Sequence, residues 1–226
     1  MRDCQAAAVR RVRAVIESLD REGATTVETG GAAHDFRTVT VSTVEAEALR
    51  GWVVRENAVH TLEIGLAFGY SALHICEGLL LNGAPDPRHV VLDPFQATAY
   101  ADRGLGILAE AGLVPLTEFH PEPSQLALPR FVAEERRFDL AFVDGNHRFD
   151  AVFVDLYYLG RLVRRGGIII LDDTDLPGVA RAASFYIKNL GWTVEATAPA
   201  GDEHGWTVLR TAGGEDTRDF RHFVEF

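Results

Sequence analysis

The chain is expected to be a doubly wound α/β protein, with a mostly parallel sheet covered on both faces by helices. Three observations point there. Short runs that are apolar on both faces alternate with segments of helical period, the pattern of a parallel sheet buried between helix layers. Four of the five runs expected to lie parallel end in an acidic residue, namely Glu63, Asp93, Asp144 and Asp172. The first of them passes into a helix through a loop nearly bare of side chains, Gly65-Leu66-Ala67-Phe68-Gly69.

Taken in order, Val9, Val12, Ile16 and Leu19 recur at helical spacing and predict a helix near 5–21. A Gly/Thr-rich loop, "ETGGAAHDFRTVTV", follows it. Ser42-Thr43-Val44-Glu45 then has the form of a capping box, in which serine oxygen and glutamate carboxylate satisfy free amides, and it opens a helix to about Asn57. Buried strands are predicted at 59–65, 89–93, 114–118, 138–144 and 167–172, with helices near 70–82, 100–112, 124–136 and 148–164. In the last of these, Phe149, Val152, Phe153, Leu156 and Val163 share one face. A helix near 178–189 and two late β segments, 192–198 and 205–211, complete a Rossmann-like, seven-stranded sheet. Residues 1–40 read as an N-terminal helical extension and 41–226 as a single globular unit.

Composition narrows the function. With 226 residues, 47% of them hydrophobic, the chain has material for a real core, and its formal charge of −11 disfavours a nucleic-acid partner. The N-terminus lacks the apolar stretch of a signal peptide, and no apolar run approaches the ~20 residues of a membrane span. Two cysteines, Cys4 and Cys76, form no framework or metal-ligand spacing, which suits a cytoplasmic setting.

In such sheets ligands bind beyond the C-terminal strand ends near the point where strand order reverses. The loop there does not fit a dinucleotide fingerprint, because Tyr70 stands where a third glycine belongs, and Glu63 is ill-placed beside a diphosphate. A cationic ligand without phosphate suits that acid better. The stretches "LEIGLAFGYSALHI", "VVLDPFQ", "PSQLALP" and "FDLAFVDGNHRFDAVFVDLYYLGRLVRRGGIIILDD" resemble class I S-adenosylmethionine-dependent methyltransferases, within them methyltransferase family 24 and the catechol/caffeoyl-CoA O-methyltransferase-like group. The resemblance covers roughly residues 40–195.

That resemblance implies roles. Glu63, Gly65, Ala67 and Gly69 would hold the methionine part of S-adenosylmethionine, and Tyr70 and Ser71 would present helix N-terminal amides to its carboxylate. Asp93 would accept the ribose hydroxyls, Ser124 and Gln125 would contact adenine, and Asp144 would orient the ammonium group. Asp144, Asp172 and Asp173 stand where metal-dependent relatives ligate Mg²⁺, and His147, three residues after Asp144, stands where the catechol enzymes carry a catalytic lysine. His147 is a general-base candidate, with metal ligation or simple packing as its alternatives; Asp144 shares the catalytic assignment. His34 is a weaker candidate for the acceptor pocket, His74 and His89 read as structural, and His120 and His204 are unassigned.

The expected function is methyl transfer to a small molecule, a natural product or phenol, with O-methylation assisted by Mg²⁺ ahead of two alternatives. These are metal-free N-methylation and a non-catalytic S-adenosylmethionine-binding protein. The tail aromatics Phe220, Phe223 and Phe226 hint at burial against something, a homodimer partner being one option.

Overall fold

The structure is a computed structural model that describes residues 2–29, 32–202 and 204–226; Gly30 and Gly31 of the early loop lie outside them. The chain opens with α1 (Arg2–Glu22), which buries Val9, Val12, Val15, Ile16 and Leu19 along one face. Where the sequence suggested only a loop, there is a hairpin of β1 (Val27–Thr29) and β2 (Ala32–His34), then a single helical turn α2 (Phe36–Val39). Strands of three residues are too short to show an alternation. α3 (Thr43–Arg55) starts at Ser42, whose hydroxyl accepts the Glu45 N–H at 3.1 Å. Only the serine half of the expected box forms, since the Glu45 carboxylate turns into the protein instead.

From here strands and helices alternate as expected: β3 (His60–Ile64), α4 (Tyr70–Asn82), β4 (Arg88–Leu92), α5 (Gln96–Ala99), α6 (Arg103–Glu110), β5 (Thr117–His120), α7 (Ser124–Ala133), β6 (Phe138–Val143), α8 (Phe149–Leu162), β7 (Val163–Leu171), α9 (Pro177–Leu190), β8 (Thr193–Thr197) and β9 (Thr207–Arg210). Two boundaries differ from expectation. The helix predicted at 100–112 begins only at Arg103, as α6, because Ala101 and Asp102 have φ values of 47° and 57° that no helix accommodates; the short α5 lies before it. The strand predicted at 114–118 begins at Thr117, because Leu113 and Leu116 form a turn packed under α6 and Pro115 has no N–H to offer a ladder.

Among the described residues seven strands form one sheet, in the order β5-β4-β3-β6-β7-β9-β8, with β9 antiparallel to both neighbours. The order reverses between β3 and β6, which are parallel neighbours. One face of the sheet is covered by a core that includes Val12, Ile16 and Leu19 of α1, Leu49 and Val53 of α3, and Leu73 and Leu79 of α4. The other is covered by Leu128 of α7, Leu156 and Leu159 of α8, and Val179 and Tyr186 of α9. The N-terminal helix therefore shares a core with the sheet. It is also pinned by charge, since the fully buried Glu77 of α4 pairs with Arg13 of α1 and Arg50 of α3. At the far end of the chain Phe226 packs on Phe185 at 5.1 Å, while Phe220 is 92% exposed and Phe223 66%.

Two predictions follow from these buried acids. Removing one partner of a buried ion pair strands the others, so Glu77→Ala should lower unfolding free energy by about 3 kcal/mol; an unchanged urea midpoint would contradict the assigned packing. Asp155 of α8 is buried, which raises its pKa to about 6 although the Ser124 hydroxyl partly opposes the shift. The folded state thus holds this proton more tightly than the unfolded chain, and stability falls as pH rises from about 4 to about 6. Asp155→Asn should lack that fall, so its melting temperature should gain on the parent across the same window and then run parallel above it.

Candidate active site

At the C-terminal rim each strand hands its last hydrogen bond to the next. Asp93 N–H donates to the His120 carbonyl, Gly65 N–H to Leu92, Asp144 N–H to Ile64, and Asp172 N–H to Val143. The residues just past β4, β3, β6 and β7 therefore form one row, Asp93, Gly65, Asp144, Asp172, on strands spaced about 4.8 Å apart. Gly65 has φ of 95°, and a Cβ on it would lie 1.9 Å from the Asp144 carbonyl oxygen, so no side chain is possible where the two loops cross. Ala67, with φ of 44°, and Gly69, with φ of 78°, continue the loop in left-handed conformations up to α4.

The predicted donor-binding residues divide by surroundings. Glu63 is fully buried; it accepts from the Ser71 hydroxyl, and its other oxygen lies 2.7 Å from His89 Nε2. His89 Nδ1 in turn meets the Thr61 hydroxyl at 2.9 Å, so this chain braces the loop from beneath the sheet's edge. Asp93, 3% exposed, accepts the amides of Leu66 (3.1 Å), Ala67 (3.2 Å) and Phe95 (2.7 Å) and the Gln96 side-chain amide (2.8 Å). Tyr70 and Ser71 occupy the first turn of α4, with their amides at its N-terminus, and the Tyr70 hydroxyl donates to Asp20 of α1. Ser124 and Gln125 begin α7 at the end of the next strand over; Pro123 takes the cap position, so Ser124 is not the N-cap, and Gln125 is exposed.

Beyond β6 and β7 lies an acidic cluster with two histidines. His147 sits between two acids, Nε2 3.4 Å from Asp144 Oδ1 and Nδ1 3.0 Å from Asp173 Oδ2. His204, from the β8–β9 loop, places Nδ1 3.4 Å from Asp173 Oδ1. Two groups bring all their donor atoms within 4.8 Å, Asp144–His147–Asp173 and Asp172–Asp173–His204. The expected metal trio is thus spread over two groups that share Asp173, each completed by a histidine. Asp173 has φ of 52°, a left-handed conformation that aspartate tolerates better than most residues.

Crowding shifts the titration of these groups. Burial pushes Asp144 up to about 7, with His147 opposing the shift and the charges of Asp172 and Asp173 adding to it. Asp172 is also raised, by burial and then by Asp173. The Asp144 carboxylate raises the His147 imidazole against the effect of burial. For His204, burial lowers the value, but Asp172 and Asp173 outweigh it and the net shift is upward. Among the described residues these acids form ion pairs with histidines but with no arginine or lysine.

Beyond His34, the structure brings to the rim residues that the sequence did not single out. Glu45 is fully buried, neither of its oxygens meets a donor, and burial together with Asp172 and Asp144 drives its pKa to about 11. Tyr100 is half-buried above the loop, its ring 5.6 Å from Phe68, and it is raised by burial and by Asp93 and Asp144. His34 of the hairpin stacks on Tyr100 at 5.1 Å, which brings the extension to the mouth of the site. The Gln96 side-chain oxygen is buried beside the loop without a partner. In the sequence the glutamine of the "DPFQ" run is the available clue to it.

Comparison with known proteins agrees with this geometry. A family model described as a methyltransferase domain matches residues 62–174, half of the chain. Caffeoyl-CoA O-methyltransferase 1 of Arabidopsis thaliana is 28% identical over 150 residues, covering 63% of this chain and 53% of its own length. Caffeoyl-CoA O-methyltransferase of Pinus taeda is 31% identical over 152 residues with the same coverage, 63% and 53%. The chain spans about half the length of these curated relatives. Among solved structures, the O-methyltransferase TomG of Streptomyces achromogenes, from tomaymycin synthesis and bound to S-adenosylmethionine, superposes with a TM-score of 0.65 at 22% identity, covering 91% of this chain and 90% of that one. The Bacillus cereus O-methyltransferase bound to S-adenosylhomocysteine gives 0.64 at 19%, with coverage of 91% and 90%. At such identities these two share the fold. With a domain model matching half its length, over the segment that carries the glycine loop and the acidic rim, the chain belongs to the methyltransferase family.

Proposed function

We propose that this protein is an S-adenosylmethionine-dependent O-methyltransferase acting on a small molecule, with a divalent cation at the acidic cluster and His147 as general base. The observation that carries the reading is His147 held between Asp144 and Asp173 directly past the strand whose carbonyl meets Gly65. An acid–base side chain flanked by a carboxylate at each ring nitrogen, beside a loop stripped of side chains, suits methyl transfer to a hydroxyl. The names of the relatives, caffeoyl-CoA O-methyltransferases and O-methyltransferases bound to the methyl donor or its product, support the choice of acceptor chemistry. A phenolic or natural-product acceptor fits those names.

The residues present fit both absent groups. The rim is acidic and carries no phosphate cradle, which suits a donor with ammonium and sulfonium charges, and the orphaned Gln96 oxygen offers an acceptor beside Asp93. Two three-residue sets of carboxylate and imidazole donors, crowded and unrelieved by arginine or lysine among the described residues, suit a divalent cation. S-adenosylmethionine would supply an electrophilic methyl group; a cation would lower the pKa of the acceptor hydroxyl. The protein's own part is positional. Asp93 pins the Leu66 and Ala67 amides while facing the rim, so it orders the loop and remains placed for ribose hydroxyls. The first-turn amides of Tyr70 and Ser71 are placed for a carboxylate. His147 receives the acceptor proton, and Asp144 stabilises the imidazolium that results. The exposed Phe220 and Phe223 support a dimer contact at the tail, and the low cysteine count supports a cytoplasmic setting.

Calorimetry should show S-adenosylhomocysteine binding to the purified protein and weakening in Asp93→Asn; the absence of any binding would remove the basis of the assignment. His147→Ala should retain that binding while turnover of a catechol-type acceptor falls about 10²- to 10⁴-fold, the range general-base removal produces. Loss of binding and turnover together would instead mark His147 as a structural part of the donor site.

A further inference from the structure

We propose that a cavity at the end of the molecule away from the rim is a second small-molecule site, one that takes a planar aromatic carboxylate with Arg161 as its anion-binding group. The cavity has a volume of about 670 Å³, within the range of ligand pockets. It lies between the C-terminal halves of α8 and α9, under the stretch of chain that follows β9. α8 starts at Phe149, two residues after His147, and Arg161 is near its other end. At 1.5 Å per residue the helix carries Arg161 roughly 18 Å from Phe149, so the cavity is separate from the rim.

Its walls are aromatic and fixed. Tyr186 and Trp192 are buried with their rings 4.8 Å apart, and Phe153 packs on Tyr186 at 5.4 Å. A Cβ on Gly160 would lie 3.0 Å from Trp192 Cζ2, so the bare position on α8 admits the indole. The covering stretch is tied down on α9, where Asn189 Nδ2 donates to the Val224 carbonyl at 2.9 Å and Asn189 Oδ1 accepts the Val224 N–H at 2.7 Å. At its start the Thr211 hydroxyl donates to the Arg164 carbonyl at 3.0 Å. Rings held in this way offer a flat ligand offset or edge contacts.

Charge decides the kind of ligand. Three arginines and two acids line the cavity. Arg218 holds Asp216 through two nitrogens, at 2.8 and 2.7 Å, and Arg165 lies 3.6 Å from Glu215. Arg161 is left over, paired with no carboxylate among the described residues. Its Nη1 donates to the Tyr157 carbonyl at 2.7 Å, and its guanidinium lies over the Tyr157 ring at 3.7 Å. Arg218 keeps the Asp216 carboxyl below its ordinary range and Arg161 adds to that from farther off, which puts the Arg161 charge on the cavity side. The stack and the one hydrogen bond fix the guanidinium and leave its Nε–Nη2 edge free, the fork that binds a carboxylate through two parallel bonds. A ligand with several phosphates would also face Glu215 and Asp216, and a neutral ring would leave the fork unanswered. One carboxylate on a flat ring matches one spare positive charge beside aromatic walls.

The test is calorimetric titration of sodium 2-naphthoate into the purified protein, with 2-naphthol as the uncharged counterpart and S-adenosylhomocysteine present or absent. The parent should bind naphthoate about tenfold more tightly than naphthol, and Arg161→Gln should lose about that factor for naphthoate and nothing for naphthol. Arg161→Lys, which keeps the charge without the fork, should fall between the two. Arg161 is exposed, so both variants should melt with the parent. His147→Ala and S-adenosylhomocysteine should leave naphthoate binding unchanged. No naphthoate binding, equal affinity for naphthol, or indifference to Arg161→Gln overturns the site. Displacement by S-adenosylhomocysteine, or loss in His147→Ala, puts the ligand at the rim and overturns it too. Naphthoate binding that disappears as the protein dimerises in sedimentation makes the cavity an interface between copies and does the same. Failure of S-adenosylhomocysteine itself to bind removes the donor reading and leaves this site to be decided by the Arg161 variants.

Discussion

The rest of the molecule depends on the crossing of two loops at the strand-order reversal, where Gly65 meets the Asp144 carbonyl. An added Cβ would sit 1.9 Å from that oxygen, so the two loops approach as closely as backbones can. The approach keeps the rim in register, with Asp93, Asp144 and Asp172 each donating its amide to the end of a neighbouring strand. It also explains why acids gather there. Side chains at the end of a parallel sheet are the first along each strand that need not be apolar, and here register sets them side by side. Burial first, and then their mutual repulsion, raises the pKa values of Asp144 and Asp172.

Around this row the N-terminal extension behaves as part of the site. Phe36 of α2 meets Phe68 at 5.8 Å and Tyr70 at 5.5 Å, edge to face, and so packs on the loop that follows β3. Tyr70 reaches back to Asp20 of α1, and the hairpin leans its His34 on Tyr100. Aromatic contacts of this sort are worth about 0.5–1.5 kcal/mol each beyond the area they bury. The loop is thereby held from above by the extension and from below by the Ser71–Glu63–His89 chain. The extension thus closes over a rim that the sheet alone would leave open.

What the sequence revealed and what it hid divide along one physical line. Residues placed by local pattern were legible: strand runs, the serine cap at Ser42, the acids that end strands, and His147 at a fixed offset from Asp144. Residues placed by tertiary approach were not. Glu45 satisfied a local rule on paper, yet burial and the neighbouring rim drew its carboxylate inward, away from the cap amide. His204 lies in a loop with no periodicity, and only the bonds from Thr174 and Asp175 to Gly205 carry it to Asp173. The late start of β5 has the same origin, because Leu113 and Leu116 are spent on packing against α6, and not on the ladder, while Val114 faces solvent.

The distribution of unsatisfied groups argues that this rim was shaped by a ligand. Elsewhere buried polar side chains are answered: Glu77 by two arginines, Asn189 by both backbone groups of Val224, and His89 by Thr61 and Glu63. His74 and the Thr117 hydroxyl are exceptions, and burial lowers the His74 pKa to about 4, so its ring is neutral. At the rim Glu45 and the Gln96 oxygen meet no hydrogen-bond donor, His147 Nε2 has only the Asp144 carboxylate at 3.4 Å, and Ala67 and Asp173 hold left-handed backbones, as Asn57, Asp86, Ala101, Asp102 and Glu135 do elsewhere. Each such feature costs on the order of 1–3 kcal/mol and persists only where the surrounding structure over-determines it. A cationic ligand held at this row of acids would relieve charge repulsion and unmet hydrogen bonds together, so its affinity would draw on both.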